Sequence, residues 1–102
     1  MKLYDKRGVP ISAEAWARLR SDESYGLIAR DTIAPGVTVS TAWVGMDQSV
    51  QPGGTPMTFE TAVFRDGVVT DRRWHPTEEA ALTGHHQLVA THVAKSARPS
   101  AS

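Results

Sequence analysis

Four histidines lie in the last third of the chain, and three of them fall within one predicted helix. His75 precedes this helix, and His85, His86 and His92 lie on it. Helical residues four apart chelate one metal ion best, whereas His85 and His92 are seven apart, roughly 10 Å along the helix axis. The side chains of His85 and His86 point about 100° apart. We therefore expect the helix to hold neither a metal nor a cofactor.

His85 lies on the apolar stripe of the predicted helix, which faces the sheet or a partner. In one interpretation its ring lies at the edge of the core and hydrogen-bonds a strand residue. In the other it contacts a ligand or works as an acid–base group. The spacing of the sequence leaves both interpretations open.

Two carboxylates are further candidates for chemistry. Glu60 lies in the middle of a predicted strand between apolar residues. On a packed face it would need a partner, for which His85, Arg30 and Arg72 are available, and on a solvated face it would be a surface residue. Asp47 lies where a strand meets a long loop, a position typical both of turn formers and of site residues.

Three other patterns are less specific. The loop at residues 51–56 is rich in glycine but lacks the Lys-Ser/Thr pair of a phosphate loop. Arg72, Arg73 and Trp74 could stack on a base, although such arginines are also typical of a solvated strand face. Ser40, Thr41 and His85 form no catalytic triad that the sequence reveals.

The overall composition narrows the classes of protein. The 102 residues suit one domain, with 40% apolar and 22% charged residues. Eleven basic and eleven acidic residues cancel, which argues against nucleic-acid binding, since gripping phosphates requires surplus positive charge. The absence of cysteine excludes disulfides and thiolate sites. The first residues do not resemble a secretory signal and no long apolar run follows, so we expect a cytoplasmic protein that does not enter membranes.

The elements that must position these residues follow from hydrophobic patterning. It predicts an α+β fold: an antiparallel sheet of about four main strands in a meander, with a short N-terminal helix and a longer C-terminal helix packed on one face. Residues 1–95 are expected to form one domain and residues 96–102 a flexible tail. Gly84 costs roughly 1 kcal/mol relative to Ala in a helix, which suggests that another group approaches closely there. The predicted elements are a hairpin from residues 2–4 and 9–11, helices at 13–21 and 78–94, and strands at 25–33, 37–46, 57–64 and 68–74.

The aromatic content of the strands suggests a partner. We expect Trp43, Phe59, Val63 and Trp74 to give the sheet face without helices more bulk than a solvated face normally carries. Pairing of two copies would bury this face, so a homodimer is expected.

Three segments of the chain resemble a known family. They are Val-Ser-Thr-Ala-Trp-Val-Gly-Met-Asp at 39–47, Thr-Phe-Glu-Thr-Ala-Val-Phe at 58–64, and Thr-Glu-Glu-Ala-Ala-Leu-Thr-Gly-His at 77–85. This order resembles small proteins encoded by phages and prophages, especially of actinobacteria, with the pattern VSTVWLGLDH…FETMVF…STEEEALAGH. Gln48 replaces a frequent His after the Asp, and Pro76 replaces a Ser before the last helix. The resemblance covers most of the chain and brings no established activity.

These observations favour a phage-type accessory protein that acts by binding, without catalysis of its own. Its target would be a host protein, or a small ligand held near the 47–56 loop. The alternative is a small hydrolase or lyase that uses Asp47, Glu60 and His85 as acid–base groups. The candidate binding residues are Trp43, Asp47, Glu60, Trp74 and His85.

Overall fold

Four antiparallel strands, ordered as they occur in the chain, form the central sheet. The computed structural model describes residues 2–49 and 53–97. The strands follow the order β3-β4-β5-β6, and a separate two-stranded hairpin pairs β1 with β2. This meander, with a short helix near the N-terminus and a long C-terminal helix, confirms the predicted α+β fold. The elements are β1 (Leu3–Tyr4), β2 (Pro10–Ile11), α1 (Ala13–Arg20), α2 (Glu23–Gly26), β3 (Leu27–Ala34), β4 (Val37–Trp43), β5 (Phe59–Arg65), β6 (Val68–His75) and α3 (Glu78–Ala97).

The turns of two hairpins lie side by side at one end of the sheet. Gly36 has a φ of 74°, and Asp66 and Gly67 have φ values of 52° and 83°. An Asp-Gly pair suits this turn because both of its central residues need positive φ. The backbone N–H of Asp66 donates to the carbonyl of Gly36 over 2.8 Å, which ties the β5–β6 turn to the β3–β4 turn.

Helix α3 covers one face of the sheet and contacts all four strands. Strict alternation along β4 buries every second residue beneath it, and β5 contributes its own buried positions. Trp43 pairs with Phe59, and Val39 pairs with Val63, so these four side chains share the face under α3. Trp74 instead pairs with Glu60 on the opposite face. The expectation that Trp43, Phe59, Val63 and Trp74 share a helix-free face was therefore wrong.

The side of α3 that faces the sheet carries both apolar and polar residues. Thr77 caps the helix, because its Oγ1 accepts from the N–H of Ala80 over 3.0 Å. Val93, which the apolar stripe was expected to include, is 44% exposed. The helix reaches Ala97, so residues 95–97 continue it and only 98–102 of the predicted tail lie outside the described residues. Among residues 78–94 of α3, the buried positions are Ala81, Gly84, His85, Leu88 and His92.

The N-terminal elements close the end of the sheet near Trp43. Trp16, on α1, donates from Nε1 to the carbonyl of Val44 over 2.9 Å. The N–H of Tyr4 donates to the carbonyl of Gly45 over 2.8 Å, which attaches the predicted hairpin to the same point. These contacts place α1 and the hairpin around one end of the core.

Three predicted strands extended too far, and the one predicted at 57–64 begins only at Phe59. Residue 25 belongs to α2 rather than to a strand, because Asp22 caps this short turn by accepting from the N–H of Ser24 over 3.0 Å. Beyond Trp43, the N–H groups of Val44 and Gly45 both donate to the carbonyl of Thr58, which interrupts the ladder. Regular pairing of β4 with β5 therefore ends at Trp43. None of the described helices has the length and apolar content needed to cross a bilayer.

Candidate functional site

Five polar side chains form an unbroken series of hydrogen bonds across the sheet, and we call it the polar chain. Each of the four strands contributes one member and α3 contributes His85. Asp31 Oδ2 lies 2.6 Å from His85 Nε2, and His85 Nδ1 lies 2.8 Å from Thr41 Oγ1. Thr41 Oγ1 lies 2.7 Å from Thr61 Oγ1, which lies 3.1 Å from His75 Nε2. The polar chain thus runs from one edge strand to the other.

The middle of the polar chain is closed to solvent. Thr41, Thr61 and His85 are each 0% exposed, whereas the Asp31 side chain is 55% exposed. Within the described part of the chain, every buried side-chain nitrogen and oxygen has a hydrogen-bond partner. Because an unpaired buried polar group costs about 1–3 kcal/mol, this complete pairing is what allows three polar residues to lie in the core.

The series of Asp31, His85 and Thr41 has the order of a carboxylate–imidazole–hydroxyl triad. In such a triad the hydroxyl must reach a reacting carbonyl. Here the Thr41 hydroxyl is fully buried between strands β4 and β5 and is already bonded to Thr61. The arrangement therefore positions the imidazole without presenting a nucleophile.

His75 ends the polar chain at a surface groove, which we call the β6–α3 groove. A Cβ atom added at Gly84 would overlap the His75 ring, so the close approach predicted at this glycine is the packing of that ring on α3. The groove has a volume of about 310 Å³. Its lining residues are Arg73, Trp74, His75, Gly84, Gln87, Leu88 and Thr91.

Burial lowers the pKa of His75 below its usual value of 6.5, and the nearby positive charge of Arg73 lowers it further. A histidine with a lowered pKa is neutral at neutral pH. One ring nitrogen then carries a proton and the other accepts, so His75 can offer the groove either a donor or an acceptor.

A second polar cluster lies beneath the C-terminal half of α3. His92 Nδ1 lies 3.2 Å from an Arg65 guanidinium nitrogen, and His92 Nε2 lies 3.9 Å from Asp71 Oδ2. Hydrogen bonding to Arg73 lowers the pKa of Asp71 below its usual value. Both clusters thus pair a buried α3 histidine with groups on the strands.

The structure separates the three residues of the acid–base hypothesis. Both ring nitrogens of His85 are engaged by Asp31 and Thr41. Glu60 lies on the opposite sheet face, where its Oε2 is 3.0 Å from Nε of Arg72. The Asp47 carboxylate accepts from two backbone N–H groups of its own loop, which lowers its pKa and makes it a turn former.

The remaining predicted binding residues differ in exposure. Trp43 is fully buried, contacts Tyr25 edge-on with ring centroids 5.0 Å apart, and belongs to the core. Trp74 is partly exposed and lies on the sheet face opposite α3, although as the residue between Arg73 and His75 it also borders the β6–α3 groove. Of the 47–56 loop, residues 50–52 lie outside the described residues. Its far end borders a cavity of about 230 Å³, together with the N-terminal hairpin and the start of α3.

Sequence reasoning did not connect His85 with Asp31, Thr41, Thr61 and His75, the other members of the polar chain. They lie between ten and 54 residues from His85 along the chain. They come together only when the strands pair and α3 packs on the sheet. The available signal was the threonine pair: Thr41 and Thr61 both occupy inward-facing positions among apolar residues. Inward hydroxyls on adjacent strands require a shared polar partner, and His85 was the polar residue on the facing helix stripe.

Across residues 2–49 and 53–97, no group of three or more His, Asp or Glu side chains could hold a metal ion. The chain was compared with protein-family models, with curated proteins and with solved structures, and it matches none of them.

Proposed function

We propose that this chain is a small cytoplasmic accessory protein of phage type that acts by binding, and that the β6–α3 groove holds its ligand. The observation that carries this proposal is the groove itself. Its lining residues include the charged Arg73, the polar His75 and Gln87, and the apolar Leu88. A concave site with an apolar wall and a few convergent polar groups is typical of small-ligand sites.

The burial of the triad-like residues supports binding rather than catalysis. A nucleophile or acid–base group must reach the substrate, yet Thr41 and His85 are fully buried. The proposed hydrolase or lyase with Asp47, Glu60 and His85 loses support as well, because these three residues belong to separate surroundings. The β6–α3 groove, in contrast, lies at the surface, and its histidine, His75, is the last member of the polar chain.

Native mass spectrometry of freshly purified protein, before and after denaturation, tests this function. We expect a small molecule to be retained in the native spectrum and lost after denaturation. The substitution Arg73→Ala should reduce retention, whereas Arg72→Ala, one residue along on the other sheet face, should not. Retention unaffected by Arg73→Ala would place the ligand elsewhere, and absence of any retained or added ligand would favour a host protein as the target.

A second copy of this chain is a further proposed partner. On the face opposite α3, the partly exposed Phe64 and Trp74 lie near the Glu60–Arg72 ion pair. Val68, on the adjoining edge strand, is 63% exposed. Exposed apolar groups beside an unpaired strand edge favour association. Light scattering at micromolar concentration should show a dimer that Trp74→Glu dissociates, and a monomer at that concentration would exclude this partner.

A further inference from the structure

The polar chain has only two self-consistent hydrogen-bond directions. Each threonine hydroxyl donates one proton, so the direction chosen at one end fixes every bond up to the other end. In the first direction, His75 Nε2–H donates to Thr61, Thr61 donates to Thr41, and Thr41 donates to His85 Nδ1. His85 is then neutral and donates from Nε2 to the Asp31 carboxylate, 2.6 Å away.

In the second direction every bond is reversed. His85 Nδ1–H donates to Thr41, Thr41 donates to Thr61, and Thr61 donates to His75 Nε2. Because His85 Nε2 still needs its proton to bond the Asp31 carboxylate, His85 becomes an imidazolium with both nitrogens protonated. The second direction therefore contains one more proton than the first.

The two directions present different groups to the β6–α3 groove. The bond to Thr61 occupies only Nε2 of His75, which leaves Nδ1 for a ligand. In the first direction Nδ1 of the neutral ring is an acceptor. In the second direction Nδ1 carries the proton and is a donor. A ligand that needs a donor at Nδ1 of a neutral His75 selects the second direction.

The rest of the groove favours a small carboxylate. Arg73 offers a planar fork of donors that fits a carboxylate, and its contacts with Asp71, at 3.4 and 3.5 Å, are at the long end of hydrogen bonding. The Gln87 amide adds donors, and Leu88 provides an apolar wall. A volume of about 310 Å³ suits a small molecule.

We infer that the β6–α3 groove binds a small carboxylate, and that its binding draws one proton into the protein at His85 through the polar chain. This inference rests on the proposed function and specifies its ligand. The proton comes from solvent and settles on His85 between Asp31 and Thr41, while His75 changes from its Nε2–H to its Nδ1–H form. Binding consequently strengthens as the pH falls.

The position of the proton follows from the surrounding charges. In the free protein, burial and the positive charge of Arg73 both disfavour a positive charge on His75. Beside His85 lies the Asp31 carboxylate, whose Oδ2 is 2.6 Å from Nε2. The groups in contact with His85 are Asp31 from β3, Thr41 from β4 and His86 on α3. Through Thr41 it is connected to Thr61 on β5 and His75 on β6, and the charge of Arg73 acts on His75.

Isothermal titration calorimetry with benzoate, in two buffers of different ionisation enthalpy, tests the inference. We expect binding with uptake of about one proton, and little binding of benzamide, which has the same ring without the charge. Arg73→Ala should weaken benzoate binding roughly tenfold or more, because it removes charge-assisted hydrogen bonds. Arg72→Ala is the matched control and should change the affinity less than about twofold.

The variant Thr61→Val removes the hydroxyl that connects His75 with Thr41, so it tests the polar chain while keeping the residues of the β6–α3 groove. Without the Thr61 hydroxyl, His75 can carry its proton on Nδ1 independently of His85, so benzoate should bind with proton uptake close to zero. Should this variant not fold, nitrogen NMR of the histidines in the unaltered protein decides the same point. Benzoate should leave His75 protonated on Nδ1 and His85 protonated on both nitrogens.

The outcomes distinguish this inference from the proposed function. Benzoate binding without proton uptake, or with full uptake in Thr61→Val, would overturn the role of the polar chain. If benzamide binds as tightly as benzoate and Arg73→Ala weakens both, the claim that the ligand is a carboxylate is wrong. The groove would still be a ligand site. If neither compound perturbs groove residues and no molecule is retained in native spectra, both proposals fail.

Discussion

The core beneath α3 has one polar layer between two apolar layers, and the same three elements build all of them. Strand β4, strand β5 and α3 contribute Val39, Val63 and Leu88 to one apolar layer, and Trp43, Phe59 and Ala81 to the other. Thr41, Thr61 and His85 lie between them. The apolar layers need side chains of suitable volume, whereas the polar layer needs particular atoms at hydrogen-bond distance. Identical backbone elements therefore carry two kinds of constraint.

Removing the largest apolar side chain should give the largest effect. Trp43→Ala empties a fully buried site and removes the hydrogen bond from Trp43 Nε1 to the carbonyl of Tyr4, at 3.1 Å. We expect a loss of about 3–5 kcal/mol in the free energy of unfolding, measured by urea denaturation. Trp74→Ala, at a partly exposed position, is the control and should cost clearly less. Equal losses would show that the apolar layer with Trp43 contributes no more to the free energy of unfolding than the partly exposed Trp74 does.

Substitutions in the polar layer should cost less and should not be additive. Thr41→Val keeps the volume but leaves His85 Nδ1 without its partner, at an expected cost of about 1–3 kcal/mol. The double variant with Thr61→Val should differ from the sum of the single variants by about 0.5–3 kcal/mol, because the two hydroxyls share a bond. Additive losses in a double-mutant cycle would mean that the hydroxyls act separately.

Gly84→Ala tests the packing of the His75 ring against α3, at the point where the polar chain meets the groove. A gain in helix propensity of roughly 1 kcal/mol would be opposed by overlap of the new methyl group with the His75 ring. We expect a net loss of about 1 kcal/mol or more in thermal and urea unfolding. Thr83→Ala, at the exposed neighbouring position, should be neutral or slightly stabilising. If His75→Ala does not relieve the loss in a double variant, the overlap is not its cause.

The lowered pKa of His75 predicts a modest pH dependence of stability. Since the folded state holds this proton less tightly than the unfolded state, the stability is complete above about pH 6.5 and decreases as the pH falls below it. Urea unfolding between about pH 7.5 and about pH 5.5 measures the slope, and His75→Gln should make it flatter. An unchanged slope in this variant would assign the dependence to other groups.

The smallest effect is expected on the opposite sheet face. Glu60→Gln breaks the 3.0 Å ion pair with Arg72, whose side chain is half exposed. Such pairs contribute about 0–1 kcal/mol, and less at high salt. A loss in urea unfolding as large as that of Thr41→Val would mean that this face is covered by a partner.

The apolar layers and the polar layer differ in how far the sequence predicts them. Alternation along residues 37–43 and 59–63, and the helical spacing of Ala81 and Leu88, were sufficient to predict the sheet, the long helix and the position of His85 on the apolar stripe of that helix. The polar chain was not identified from the sequence, because threonine is common in ordinary strands and the inward positions of Thr41 and Thr61 are a weak signal. Their hydroxyls meet only after a particular pairing of β4 with β5 is formed.

The face assignment of Trp43 failed for a related physical reason. Period-two alternation defines which residues share a face of one strand, but it does not specify which face of the sheet the helix covers. Trp43 and Trp74 lie on different strands, and only the pairing of Glu60 with Trp74 shows that they point to opposite sides.

The polar layer also gives the sheet a means of rejecting wrong strand alignments. If β5 slid by two residues along β4, every side chain would keep its inward or outward direction, so the apolar residues alone would discriminate weakly against the shifted sheet. The shift would place the Thr41 hydroxyl opposite Phe59 or Val63 instead of Thr61. The two buried hydroxyls would then lose their bond to each other, and the series of hydrogen bonds from His85 to His75 would be broken. Three polar residues in the core thus select one alignment from a set that hydrophobicity leaves nearly equivalent.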